Sequence, residues 1–131
     1  MTERQRLEAR VHEILDAPGA EDSFVDFKRQ LPDDYRRAAR QIAALANAAR
    51  GDEAVWLIGV ENDGHLTSAT PSFETQSWWP QVESWFDELA PSVTQLLVPR
   101  PGGTVLALFF ETDRAPYVVK TGGQSPEREV P

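Results

Sequence analysis

The run "EAVWLIGV", residues 53 to 60, constrains this chain more than any other stretch. It is almost continuously apolar, of strand length, and closed by the turn-forming "ENDG" at 61 to 64. A run of that kind reads as a central strand buried on both faces, because a strand with one wet face would alternate polar and apolar residues. Immediately before it, "LPDDYRRAARQIAALANAARG" has helical periodicity. Asp33 or Asp34 is placed to cap its start, and Gly51 follows the last turn. At about 100° per residue, Tyr35, Ala38, Ala39, Ile42, Leu45, Ala46 and Ala49 fall on one arc, and Arg36, Arg40, Asn47 and Arg50 on the opposite one. The alanine-rich arc suits close approach to a sheet, which leaves an arginine stripe facing outward.

The other elements group around this pair. Residues 2 to 16 form a helix with Leu7, Val11, Ile14 and Leu15 on one stripe, stopped by "APG" at 17 to 19 and expected to pack on the domain as a lid. "SFVDFKRQ" alternates as a strand, with Asp26 and Lys28 on one side and Val25 and Phe27 on the other. "HLTSA" is expected to return as the partner in a hairpin after the "ENDG" turn. "TQSWWPQVESWFDELAP" reads as a second amphipathic helix through Val82, Trp85, Phe86 and Leu89, with Pro80 in its first turn. "SVTQLLVPR" and "TVLALFFET" flank "PGG" as a second hairpin, "APYVVKT" is a short final strand, and "GGQSPEREVP" is a polar, turn-rich tail. The order implies an α+β fold, a mixed sheet of about six strands with helices packed on it. At 131 residues one compact core is expected. The domain should run from 20 to 122, preceded by the helix in 1 to 19 and followed by the tail 123 to 131, whose abrupt end suggests a piece of a longer protein.

Composition removes several chemistries. Without cysteine there are no disulfides, thiolate zinc sites or cysteine nucleophiles, which suits a reducing cytoplasm. The N-terminus is charged from the start and no segment approaches the roughly 18 apolar residues of a membrane span, so a soluble intracellular protein is expected, away from membranes. The formal charge of −8 opposes nucleic-acid binding at first sight. Its distribution is uneven: Lys28, Arg29, Arg36, Arg37, Arg40 and Arg50 face only Asp33 and Asp34 between residues 28 and 50, a balance of +4 that leaves −12 elsewhere.

Three groups of residues have chemical potential. Asp26 and Lys28 are two apart on a strand and therefore share a face. A carboxylate there can hold a divalent cation while the lysine steadies a phosphate, and Glu21 adds a second hard oxygen ligand suited to Mg²⁺ or Mn²⁺. The plainer reading is a surface ion pair. Glu61 and Asp63 follow the buried strand, where a hairpin end could bring carboxylates beside Asp26; Asn62, Asp63 and Gly64 are also ordinary turn formers. The arginine stripe suits phosphate through its planar forks, or is a solvated helix face. Asn47, unfavourable inside a helix, should bond to something tertiary. Trp56 and Trp85 read as core, Trp78 and Trp79 as core or base-stacking groups, and His12 and His65 as structural. No P-loop or dinucleotide pattern is present.

In order, "EDSFVDFKRQLP", "IAALANAARGDEAVWLIGVENDG" and "APYVVK" resemble the AlbA-like domain of the Schlafen family over roughly residues 20 to 120. That domain typically carries an acidic residue, a strand ending E-F-K, a helix ending in A-(F/L)-A-N before a glycine turn, an apolar strand ending G-V-(D/E)-(D/N), and a late P-Y segment. The resemblance implies a nucleic-acid-binding domain, for RNA more than for DNA, with Lys28, Arg29, Arg36, Arg40 and Arg50 on phosphates. In some relatives the domain is a metal-dependent endoribonuclease of tRNA and rRNA with three carboxylates. Carried over, the catalytic set is Glu21, Asp26 and Lys28 with Glu61 or Asp63, and the metal set Glu21, Asp26 and Glu61 with Mg²⁺ or Mn²⁺. The third acid of the family falls on Asn62, Asp26 replaces the usual glutamate, and the double glycine becomes Gly51-Asp52. Catalytic relatives often use a pair of such domains, which implies a homodimer or a fused partner domain here. Many bacterial members are labelled ATP-binding. A third possibility is an acidic interaction or regulatory domain without catalysis, consistent with the charge and with Asn62.

Overall fold

The structure is a computed structural model, and it describes residues 1–19, 24–67, 74–122 and 128–131. Its elements are α1 (Glu3–Asp16), β1 (Val25–Lys28), α2 (Tyr35–Ala49), β2 (Ala54–Ile58), α3 (Trp78–Glu83), β3 (Val93–Arg100), β4 (Gly103–Phe110), β5 (Val119–Lys120) and β6 (Arg128–Glu129). The fold is α+β, with a mixed four-stranded sheet in the order β1-β2-β4-β3 and a two-stranded sheet β5-β6. β1 and β2 are parallel, so the chain between them must cross over, and α2 is that crossover in sequence. β3 and β4 are separated only by Pro101 and Gly102, a link short enough for a hairpin. Among the described residues no helix is long and apolar enough to cross a membrane.

The chain divides into two compact units. One comprises residues 1–31, 55–73 and 94–109, the other 32–54, 74–93 and 110–131. In the first, α1 supplies Leu7, Val11, Ile14 and Leu15 to a core shared with Val55 and Leu57 of β2, Leu96 and Val98 of β3, and Val105, Ala107 and Phe109 of β4. Each of the Val, Leu, Ile and Phe side chains contributes roughly 1.5–3 kcal/mol when fully buried. The helix expected as a lid is therefore a structural layer; Val11 is completely buried, and a charge placed there would break the unit. Thr2 and Gln5 close its start reciprocally, Gln5 N–H donating to Thr2 Oγ1 at 3.1 Å and Thr2 N–H to Gln5 Oε1 at 2.9 Å. Every residue of β2 is buried, as the apolar run requires of a central strand.

In the second unit, Asp34 caps α2 by accepting from the Arg37 N–H at 3.0 Å. Arg50 ends the helix in the left-handed conformation, its N–H donating to Ala46 O. Ala38, Ala39, Ile42, Ala43, Ala46 and Ala49 are its buried stripe. α2 packs against α3 and β5.

Three expectations change. The helix read over 75 to 91 is only Trp78–Glu83. Beyond it the backbone is taken by β5 and the residue before it: Asp87 N–H donates to Val118 O and Lys120 N–H to Trp85 O, and Phe86 bridges Val119. Glu88 then turns left-handed at φ 67°. The second hairpin arm after "ENDG" is a single bridge, Val60 to Leu66, with Thr67 N–H on Gly59 O; Ser68 and Ala69 of that arm lie outside the described residues. The tail is not all turn, because Arg128 and Glu129 pair with Lys120 and Val119.

Candidate functional site

The charged strand lies in the first unit. Asp26 and Lys28 do share a face, with Lys28 Nζ 3.2 Å from Asp26 Oδ2. The same ammonium stands 4.8 Å from the ring centre of Trp56, the residue opposite Asp26 across the parallel ladder. Lys28 is thus held between a carboxylate and an aromatic face, its side chain only 20% exposed. Its carbonyl accepts from both Gly59 N–H (2.7 Å) and Val60 N–H (3.1 Å), which fixes the end of β2 beside it.

The acids after β2 are committed as well. Glu61 Oε2 receives Arg29 Nε at 3.0 Å and the Thr67 hydroxyl at 2.7 Å. Asp63 accepts from His65 N–H at 3.0 Å and faces His65 Nδ1 at 2.9 Å; the backbone donor first, then the ring, hold its carboxyl below the usual range. The turn between them needs Gly64: at φ 91° a Cβ there would lie 2.6 Å from Pro18 Cβ. Asp63 and Asn62 therefore serve turn formation. Among the described residues, no three Asp, Glu or His side chains converge in a way that could hold a metal ion. Glu21 lies outside the described residues. Asp26 and Glu61 each face a cation, so an Mg²⁺ or Mn²⁺ ion taken up there would displace Lys28 or Arg29.

The arginine stripe lies in the second unit and differs in kind. Arg36, Arg37, Arg40 and Arg50 are exposed, and α2 contains no acidic residue. Arg40 Nε pairs with Glu129 Oε1 at 2.9 Å. Among the described residues, no carboxylate forms an ion pair with Arg36, Arg37 or Arg50. Arg36 lies over Gly122, where a Cβ would come 3.3 Å from Nη1 and 3.5 Å from the Trp85 ring. Arg50 lines an open groove of about 870 Å³ with Asn47, Thr112, Asp113, Pro116 and Val130.

Asn47 does form the tertiary bonds its place in a helix implied. Its Oδ1 accepts from Tyr117 N–H at 2.6 Å, and its Nδ2 donates to Tyr117 O at 3.0 Å and Pro131 O at 3.2 Å. Trp56 and Trp78 are buried, with Trp78 Nε1 donating to Pro32 O. Trp79 is half-buried against the rings of Phe86 and Phe110, so none of these three offers an open face for a base. Sequence reasoning missed two ties. The Thr112 hydroxyl joins Gly51 N–H to Asp52 O, and Arg100 Nη1 binds both Asp16 (3.0 Å) and His12 Nδ1 (3.1 Å), joining α1 to the end of β3. Threonine in a loop carries no periodic signal, and an arginine 88 residues from its histidine partner carries none either.

No protein-family model matches the chain, and no curated protein matches it. Among solved structures it is similar to the DIP2311 protein of Corynebacterium diphtheriae, a structural-genomics target, at 22% identity and a TM-score of 0.57. The match covers 87% of this chain and 23% of that one, so the chain corresponds to about a quarter of its neighbour's length. The likeness is one of fold.

Proposed function

We propose that this chain is a nucleic-acid-binding module of the Schlafen AlbA-like kind, acting in the cytoplasm, and that the arginine face of α2 contacts the phosphates of structured RNA. The observation that carries the reading is the pair Arg36 and Arg50, exposed on one arc and without a carboxylate partner among the described residues. Separated by 14 positions, they are about 21 Å apart along the helix axis. That is the length of about six steps of a nucleic-acid strand at about 3.4 Å each, with Arg40 between them. Lys28 and Arg29 belong to the other unit and are engaged with Asp26 and Glu61, so they rank second as phosphate contacts. Binders of single strands rely on aromatic faces for stacking bases. Trp56, Trp78 and Trp79 are packed internally, which favours contact with a duplex backbone. In fluorescence anisotropy with a labelled RNA duplex at low salt, the chain should bind and the Arg36→Ala/Arg50→Ala variant should bind about tenfold more weakly, as expected when phosphate contacts are lost. Equal binding by the two proteins would sink the assignment.

A second reading, a divalent-metal endoribonuclease, is favoured by the juxtaposition of Asp26 and Lys28. It requires metal-dependent cleavage of structured RNA that EDTA and Asp26→Asn both abolish. RNA left intact by the wild-type chain with Mn²⁺ rules it out.

A further inference from the structure

A short piece of the chain already lies against the arginine face of α2. Residues 128–131 hold to it at two places: Glu129 places Oε1 2.9 Å from Arg40 Nε, and Pro131 O accepts from Asn47 Nδ2 at 3.2 Å. Arg128 adds a third tie away from that helix, to Asp87 Oδ2 at 3.0 Å. We propose that this segment is an internal competitor for the arginine face, with the Glu129 carboxylate occupying the place a phosphate would take on Arg40. The inference rests on the phosphate-binding reading of α2.

Three features make the segment displaceable. Its ladder with β5 is two residues long, Val119 opposite Glu129 and Lys120 opposite Arg128. A ladder that short is marginal by itself. The Arg40–Glu129 pair is solvent-accessible, with Arg40 61% exposed, so it is weak and screened by salt. The Asn47 clasp does not depend on the segment, because two of its three hydrogen bonds go to Tyr117 and survive if Pro131 leaves.

Chemistry favours an oxyanion as the displacing ligand. A guanidinium binds carboxylate and phosphate through the same planar fork, and a phosphate chain that engages Arg36 and Arg50 together must pass Arg40. Releasing Glu129 then frees the Arg40 guanidinium and adds a third cation to the row. Binding by the intact chain thus carries a built-in penalty, which removal of the Glu129 charge should lift.

The test compares a labelled RNA duplex titrated at low salt with the wild-type chain, Glu129→Gln, Arg40→Ala and the double variant. Glu129→Gln should bind about two- to fivefold more tightly, the scale of an exposed ion pair. That gain should vanish in the Arg40→Ala background, because no guanidinium is left to be freed. Hydrogen exchange gives an independent readout: the amides of 128–130 should exchange faster when the duplex is added. If the wild-type chain binds and Glu129→Gln binds equally, or the gain persists without Arg40, or exchange at 128–130 slows, the competitor is refuted while phosphate binding stands. If neither wild type nor Glu129→Gln binds, the reading of α2 fails and the competitor with it.

Discussion

The two charged regions look alike in sequence and differ in how their charges are satisfied. In the first unit every described candidate carboxylate has a cationic or hydrogen-bonding partner: Asp26 has Lys28, Glu61 has Arg29 and Thr67, and Asp63 has His65. In the second, the exposed face of α2 carries Arg36 and Arg50 with no carboxylate partner among the described residues. A charge with a nearby partner has already exchanged part of its hydration for a fixed contact. One without a partner keeps its capacity for an external ligand. Residue type therefore points to where chemistry is available less well than satisfaction does, and on that criterion the arginine face is the better candidate.

The largest effect expected separates the one structural member of that face from the rest. Asn47→Ala removes three hydrogen bonds and leaves the Tyr117 backbone unpaired, which should cost about 2–4 kcal/mol in urea unfolding. A neutral result would return Asn47 to the solvated face. Arg36→Ala/Arg50→Ala should by contrast leave stability within about 0.5 kcal/mol of wild type, as expected for surface substitutions. Its loss should appear in RNA affinity, and a variant that unfolded early would mean these arginines are structural.

In the first unit Lys28→Ala breaks both the pair with Asp26 and the contact with Trp56. It should cost about 1 kcal/mol, with a change in tryptophan fluorescence. No change in either would mean that Lys28 is not held there. The smallest effect belongs to Asp63. Its carboxyl is held below the usual range, so its contribution is fully present above the unfolded value of about 3.9 and is lost as pH falls through the folded value. Asp63→Asn should flatten that acid limb through a small loss of stability at neutral pH, the two proteins converging once pH falls below the folded value. A limb identical in both proteins would remove Asp63 from the list of satisfied acids.

Legibility in the sequence followed locality. The buried strand, a cap at Asp33 or Asp34 and the stripe of α1 were readable because periodicity and capping are local. The shared face of Asp26 and Lys28 followed from strand alternation. Asn47 announced a tertiary bond by being misplaced, although its partner at Tyr117 is 70 residues away. The end of α3 was illegible because Val118 and Lys120 decide it, taking backbone groups a longer helix would need. The pairing of Arg40 with Glu129 was hidden for the same reason: a polar tail gives no sign of which helix it lies along. What Glu61 does depended on Arg29, 32 positions earlier, and a charge pattern does not name its partner.

The most direct measurement is the salt dependence of binding to an RNA duplex, made in parallel on the wild-type chain and on Arg36→Ala/Arg50→Ala. Counterion release predicts that log K falls linearly with log salt, with a slope of about −2 to −3 for two or three phosphate contacts, and that the double variant is shallower by about 2. Binding that ignores salt, or a slope the double substitution leaves unchanged, would contradict a phosphate-binding arginine face.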